Sequence, residues 1–247
     1  MIESKLENQI GRITLNRPEM HNAINLNAMD DLRAVLKRWA DKDVRAVVLT
    51  GSGKSFCSGV ALDDVENTDW SNSPLTLLCN AVEEFPAPTI CALNGSVFGG
   101  GIELAMSCDF RIGVQGMQMF LPAAKFGIHY DPVGIARIIQ RLGAQCARRV
   151  FLLAEKLDDL ALKDCGFLDH LVAPDQLETT TSEMSETLAA LAPMAVRGMK
   201  QSIIEISRGT LDHAAATKRI VASLASDDHA EGMAAKRENR APVFWNR

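Results

Sequence analysis

The sequence predicts an α/β core followed by a helical C-terminal segment, and three observations carry this. Short β-branched runs alternate with stretches of helical spacing, the changes are punctuated by glycine or proline, and strand character disappears from about Thr179 onward. At 247 residues with 47% hydrophobic content, the chain can bury one substantial core with a small appendage.

In order, Gln9 to Leu15 alternates as a strand does, and Arg45 to Thr50 is a β-branched run stopped by Gly51. Between them, Asn25 to Trp39 sets Leu26, Met29, Leu32, Val35, Leu36 and Trp39 at helical spacing, which makes a strand, helix, strand unit. A second unit follows: a helix from Leu75 to Phe85, a break at Pro86-Ala87-Pro88, and a buried strand from Thr89 to Leu93 ending at Asn94-Gly95. Helices are then expected over Ala189 to Ile206 and His213 to Arg240, interrupted at Pro193, Gly209 and a few turn residues. The expected organisation is a core over 1–188 and a helical oligomerisation segment over 189–247.

Composition narrows the function. No window holds the roughly 18 uninterrupted apolar residues of a membrane span, and MIESKLENQIGRITL has neither a basic n-region nor an apolar h-region, so the expectation is a cytoplasmic protein with no membrane partner. The six cysteines form no C-x-x-C pair and sit in apolar stretches, as reduced core thiols do. A net charge of −5 argues against a nucleic-acid partner held by bulk electrostatics.

The stretch that carries chemistry is Asn94 to Ala105: a strand-ending turn, the glycines Gly99, Gly100 and Gly101, then an apolar helix with one acid, Glu103. Three glycines at a helix start leave bare N–H groups and the positive end of the dipole pointing outward, where developing negative charge is stabilised. The stretch lacks the Gly-Lys-Ser/Thr ending of a phosphate loop. An unpaired carboxylate among Ile102, Leu104 and Ala105 is costly to bury, so Glu103 is either paired or functional. A second small-residue turn, Ser55 to Leu62, follows the strand ending at Thr50. Two such turns, each offering a backbone N–H, are what an oxyanion hole requires.

These fragments, in this order, resemble the crotonase (enoyl-CoA hydratase/isomerase) superfamily over most of the chain. Ile13 to Pro18 with Asn22-Ala23-Ile24 is similar to that family's first strand and turn, and Ser55 to Val60 to its first oxyanion loop. Asn94 to Ala105 with Cys108-Asp109 resembles the second loop and its helix, and Glu231 to Ala235 with Glu238, Arg240 and Phe244 resembles the C-terminal helix. The resemblance implies a ββα spiral core and an acyl-CoA enzyme that holds a thioester enolate on the Val60 and Gly100 amides, with Glu103 as acid/base. The leading expectation is an enoyl-CoA hydratase or isomerase.

The family's second glutamate normally follows a proline, and here Pro122 is followed by Ala123. Replacements lie in Phe126 to Ile135: Asp131 falls where some family isomerases and dehalogenases carry an aspartate, and Tyr130 with Val133-Gly134-Ile135 resembles methylmalonyl-CoA decarboxylases. Asp131 before Pro132 also reads as a plain turn aspartate, and His129 as a structural or exposed histidine. A methylmalonyl-CoA-type decarboxylase and a catalytically idle CoA binder are therefore the alternatives. The resemblance implies contacts to CoA from Ser58, Leu62, Lys236 and Phe244, with Arg240 a further basic candidate. Ala61 replaces the family's usual aspartate, and Lys200 is read either as another CoA contact or as a solvated face residue. It also implies no metal, no cofactor beyond the CoA moiety of the substrate, and a homotrimer or homohexamer.

Overall fold

The computed structural model describes residues 1–67 and 70–247, except for the side chains of residues 62, 66 and 67. β1 (Ile2–Glu7) and β2 (Ile10–Leu15) form an antiparallel hairpin whose two turn residues, Asn8 and Gln9, both have positive φ. That turn geometry matches the twist of paired strands. Helix α1 (Leu26–Ala40) follows; the Asn25 side chain accepts from the Ala28 amide, and Met29, Leu32, Val35, Leu36 and Trp39 are buried, as the spacing predicts.

A repeated ββα unit then builds the core. β3 (Ala46–Gly51) and β4 (Ser55–Cys57) lead to the short α2 (Leu62–Asn67) and to α3 (Pro74–Glu83). β5 (Thr89–Leu93) and β6 (Ser96–Phe98) lead to α4 (Gly100–Ser107), and β7 (Phe110–Val114) and β8 (Gln118–Phe120) lead to α5 (Pro132–Phe151), which kinks at Gly143. The first strand of each unit joins one sheet and the second joins another. The order is β1-β2-β3-β5-β7-β10 in the larger sheet and β4-β6-β8-β9 in the smaller, with β9 (Leu157–Asp158), α6 (Asp159–Asp164) and β10 (His170–Val172) closing them. Beyond the hairpin the larger sheet is parallel. The chain is thus an α/β spiral of ββα turns, as the resemblance implies.

Alternation along β3 divides the interior. Val47 and Leu49 join the main core with Leu32, Trp39, Leu78 and Phe56, while Val48 faces the opposite side with Ile90, Ala92 and Ile112. That second face is covered by α7 (Leu177–Ala189) through Met184 and Leu188. α8 (Pro193–Arg208), α9 (His213–Leu224) and α10 (Asp227–Glu238) complete the helical end.

Lys200 is neither a solvated face residue nor open to a ligand. It is 8% exposed on α8, and its ammonium donates to Asp109 Oδ2 at 2.6 Å and to the Ala87 carbonyl at 3.0 Å. Asp109 also receives the Thr89 amide and hydroxyl, so one carboxylate ties α8 to the β5–β7 layer. Lys200→Met is expected to cost about 2–3 kcal/mol in a denaturation curve, somewhat below the usual value for breaking a buried pair because Asp109 is partly exposed. A loss under about 0.5 kcal/mol, the range of an ordinary surface substitution, would show that α8 is held by packing alone.

Candidate functional site: two glycine turns and a buried carboxylate

β4 and β6 are parallel neighbours, pairing Ser55 with Ser96 and Cys57 with Val97 across a register shift, and each leads into a glycine turn. The two turns therefore emerge side by side. A β-carbon on Gly59 would stand 2.9 Å from the Gly100 nitrogen and 3.1 Å from the Phe98 carbonyl oxygen. Gly59 has φ +98°, and Gly99, the N-cap of α4, has φ +50° with ψ −130°, conformations that only glycine adopts without strain.

Ile24 and Val60 form an isolated parallel bridge, in which the Gly59 carbonyl accepts from the Ile24 amide (2.8 Å) and the Ala61 amide donates to the Ile24 carbonyl (2.9 Å). The Val60 amide lies between those two bonds and faces the other side. Gly100 is the first residue of α4, so its N–H is one of the amides a helix leaves without an internal acceptor.

Glu103 lies one turn further along α4 and is 1% exposed. Its Oε1 accepts from Arg137 Nη1 at 2.6 Å, and its Oε2 accepts from the Tyr130 hydroxyl at 2.9 Å. Burial pushes this carboxyl above its ordinary pKa; Arg137 and the Tyr130 hydrogen bond pull it back, while the nearby Asp131 charge adds to the rise. Burial and the Glu103 carboxylate together push the Tyr130 phenol well above its usual value, so it stays a proton donor.

Arg137 is 3% exposed and reaches a second carboxylate. Its Nη2 donates to Asn80 Oδ1 at 2.7 Å and to Glu83 Oε2 at 3.3 Å. Glu83 is also paired with Arg141 of α5 at 3.1 Å and with Arg208 of α8 at 2.5 Å. Burial opposes the Glu83 charge, yet Arg137, Arg208 and Arg141 together bring its pKa below the ordinary value.

The start of α5 closes this side of the site. Asp131 is its N-cap: Oδ1 accepts from the Val133 amide at 2.8 Å, and Oδ2 accepts from the Thr76 hydroxyl at 2.7 Å. Gly134 is buried one turn on, and a β-carbon there would stand 2.7 Å from Glu103 Oε2 and 2.6 Å from the Tyr130 ring. The Tyr130 ring packs against Phe151 with centroids 5.2 Å apart. His129 is exposed, and Ala123 opens a single 3-10 turn over Ala123–Phe126.

The structure thus gathers Val60, Gly100, Glu103, Tyr130 and Asp131 around one end of the smaller sheet. The positions suggested for CoA are more dispersed. Ser58 is half-buried, and its hydroxyl donates to the Met20 carbonyl at 3.2 Å. Leu62 begins α2, but its side chain lies outside the described residues. Lys236 is exposed in the last turn of α10, Arg240 pairs with Glu231 and Glu238, and the Phe244 ring lies near Gly232 of its own chain. Arg137 and Thr76 escaped the sequence reading; the only signal pointing to Arg137 was that a carboxylate in an apolar helix needs a partner.

A family model described as enoyl-CoA hydratase/isomerase matches residues 5–247. The enoyl-CoA hydratase AKT6-1 of Alternaria alternata is 33% identical over 242 residues, covering 95% of this chain and 80% of the relative. Among solved structures, an enoyl-CoA hydratase from Bacillus anthracis superposes with a TM-score of 0.90 at 26% identity, covering 100% of this chain and 99% of the other. An enoyl-CoA hydratase/carnithine racemase from Magnetospirillum magneticum superposes with a TM-score of 0.93 at 27% identity, covering 100% of this chain and 96% of the other.

Proposed function

Because the chain belongs to the enoyl-CoA hydratase/isomerase family, we propose that it binds an acyl-CoA thioester, stabilises its enolate on the Val60 and Gly100 amides, and catalyses enoyl-CoA hydration or isomerisation. The observation that carries this reading is the apposition of two glycine turns with an acid one helical turn beyond: β-carbon space at Gly59 reaches the Gly100 nitrogen, and Glu103 follows on the same helix.

When charge gathers on the thioester oxygen, two fixed amides meet it without reorganising, and one such donor is typically worth about 2.7–4 kcal/mol. Glu103 Oε2 then exchanges a proton with the carbon beside the thioester carbonyl or with water. Tyr130 keeps that oxygen hydrogen-bonded between transfers, and Asp131 is the second carboxylate close enough to act on Glu103 electrostatically. Ser58, Leu62, Lys236 and Phe244 are assigned to the CoA moiety, and the protein is assigned to the cytoplasm. Among the described residues, no helix is long and apolar enough to cross a membrane. Exposed Ile203 and Ile206 on α8 and Ile220, Val221 and Leu224 on α9 support assembly into a homotrimer or homohexamer.

Decarboxylation of a malonyl-type CoA ester is the second reading. It is favoured by Ala123 where the family's second glutamate stands and by the Tyr130 hydroxyl on Glu103, since this reaction needs the enolate hole and a proton but no activated water. Incubation with crotonyl-CoA, a 3-enoyl-CoA, a dienoyl-CoA and methylmalonyl-CoA, with products resolved by chromatography and mass, separates the readings. Gain of water or a new retention time at unchanged mass is expected; loss of carbon dioxide would put decarboxylation first. CoA binding without any product would leave a catalytically idle binder.

A further inference from the structure

We propose that Arg137 is a positioning residue: by holding Oε1 of Glu103 inside the protein, it leaves Oε2 as the atom that meets substrate. The proposal rests on Glu103 being the proton carrier. Arg137 reaches Glu103 through Nη1 at 2.6 Å, while its Nη2 is anchored on Asn80 and Glu83 of α3. A planar guanidinium fork anchored through one terminal nitrogen presents the other at a fixed place, and so fixes where the carboxylate oxygen bound to it sits.

An alternative is that Arg137 merely neutralises two buried acids. Glu83, however, already has Arg141 at 3.1 Å and Arg208 at 2.5 Å, so it is not short of cations. Glu103 has Arg137 alone as its ion-pair partner among the described residues. The partners of the two Glu103 oxygens are also unequal. Oε1 is met by the buried guanidinium at 2.6 Å, whereas Oε2 is held only by the neutral Tyr130 hydroxyl at 2.9 Å, beside a Gly134 packed too close to admit a β-carbon. One oxygen is pinned by a charge, the other by a neutral hydroxyl that substrate can replace.

The charge and the geometry of Arg137 can be tested apart. Using whichever thioester the wild-type protein turns over, kcat, KM and the pH profile of kcat/KM would be measured for Arg137→Lys, Arg137→Met and Glu103→Gln. Arg137→Met removes both fork and charge. It is expected to lower kcat about 10²-fold, the usual consequence of misplacing a reacting group by about 1 Å, with KM changed less than about threefold. Its acid limb should move to higher pH, because burial of Glu103 is no longer opposed by the cation. Arg137→Lys keeps the charge but not the fork, so its kcat should fall while its acid limb stays near that of the wild type.

Full kcat in Arg137→Lys would show that charge alone suffices and would overturn the positioning role. A fall in kcat for both variants with both acid limbs unmoved would mark a purely structural role and also overturn it. If Arg137→Met does not fold, the kcat of Arg137→Lys decides. Unchanged turnover in Glu103→Gln would remove the underlying assignment, whereas lost turnover there with an unaffected Arg137→Met would remove this proposal only.

Discussion

Glu103→Gln is expected to lower turnover by about 10²–10⁴-fold, the usual contribution of a positioned acid/base, while CoA affinity stays within about twofold. Glutamine has nearly the shape of glutamate, so its carbonyl can still accept from Arg137 and its amide can face the Tyr130 oxygen; Arg137 also retains Glu83. What is lost is the ability to take up and return a proton. Turnover measured by product chromatography, beside a CoA binding titration, checks this. Rate and affinity falling together would mean that the substitution had damaged the pocket. An unchanged rate would take Glu103 out of the chemistry. In the wild-type protein, activity that needs the ionised carboxylate is present above its raised pKa and is lost as pH falls through it.

The second large effect is expected from Gly59→Ala, which is predicted to reduce kcat about 10²–10³-fold. Its methyl group would enter the 2.9 Å gap to the Gly100 nitrogen and meet the Phe98 carbonyl at 3.1 Å, and the residue would be held at φ +98°. Neither neighbour can yield like a flexible side chain, because both belong to the backbone around the start of α4. The Val60 and Gly100 amides would be forced apart, and loss of one oxyanion donor typically costs about 2.7–4 kcal/mol in the transition state. The strained backbone adds about 1–3 kcal/mol against folding, visible as a lower thermal midpoint. A variant that keeps its rate within twofold would show that these amides do not form the hole.

The first half of the fold was the more legible in the sequence, because α1, α3 and the strands β2, β3 and β5 announce themselves. The apolar positions of α1 fall as the spacing required, and β5 is buried along its whole length. β1 was not legible: it is an edge strand of mostly exposed residues, with Glu3, Lys5 and Glu7 among its six, so hydrophobic alternation had nothing to mark. α5 went unread as a whole: its start hid behind the local pattern Tyr130-Asp131-Pro132, which reads as a turn, although Pro132 is the first residue of the helix.

At the site the division is sharper. Glycine turns and a stranded acid are local features, and they were visible. The partner of Glu103 was not, since Arg137 lies 34 residues further along the chain, and its neighbours Asn80 and Glu83 come from another helix. A sequence can state that a buried carboxylate needs a cation. Which cation supplies it is decided by how α3, α4 and α5 pack.

The two proposed donors lie in the glycine turns that follow adjacent parallel strands, β4 and β6, and neighbouring strands lie about 4.8 Å apart whatever their side chains. The strand pair brings the two turns together, and Gly59 lets them close on each other. Because that approach is made by backbone and by glycines, side chains outside the two turns can be exchanged to admit a longer, branched or more polar acyl group without disturbing it, and attempts to redirect this protein to new thioesters should begin there.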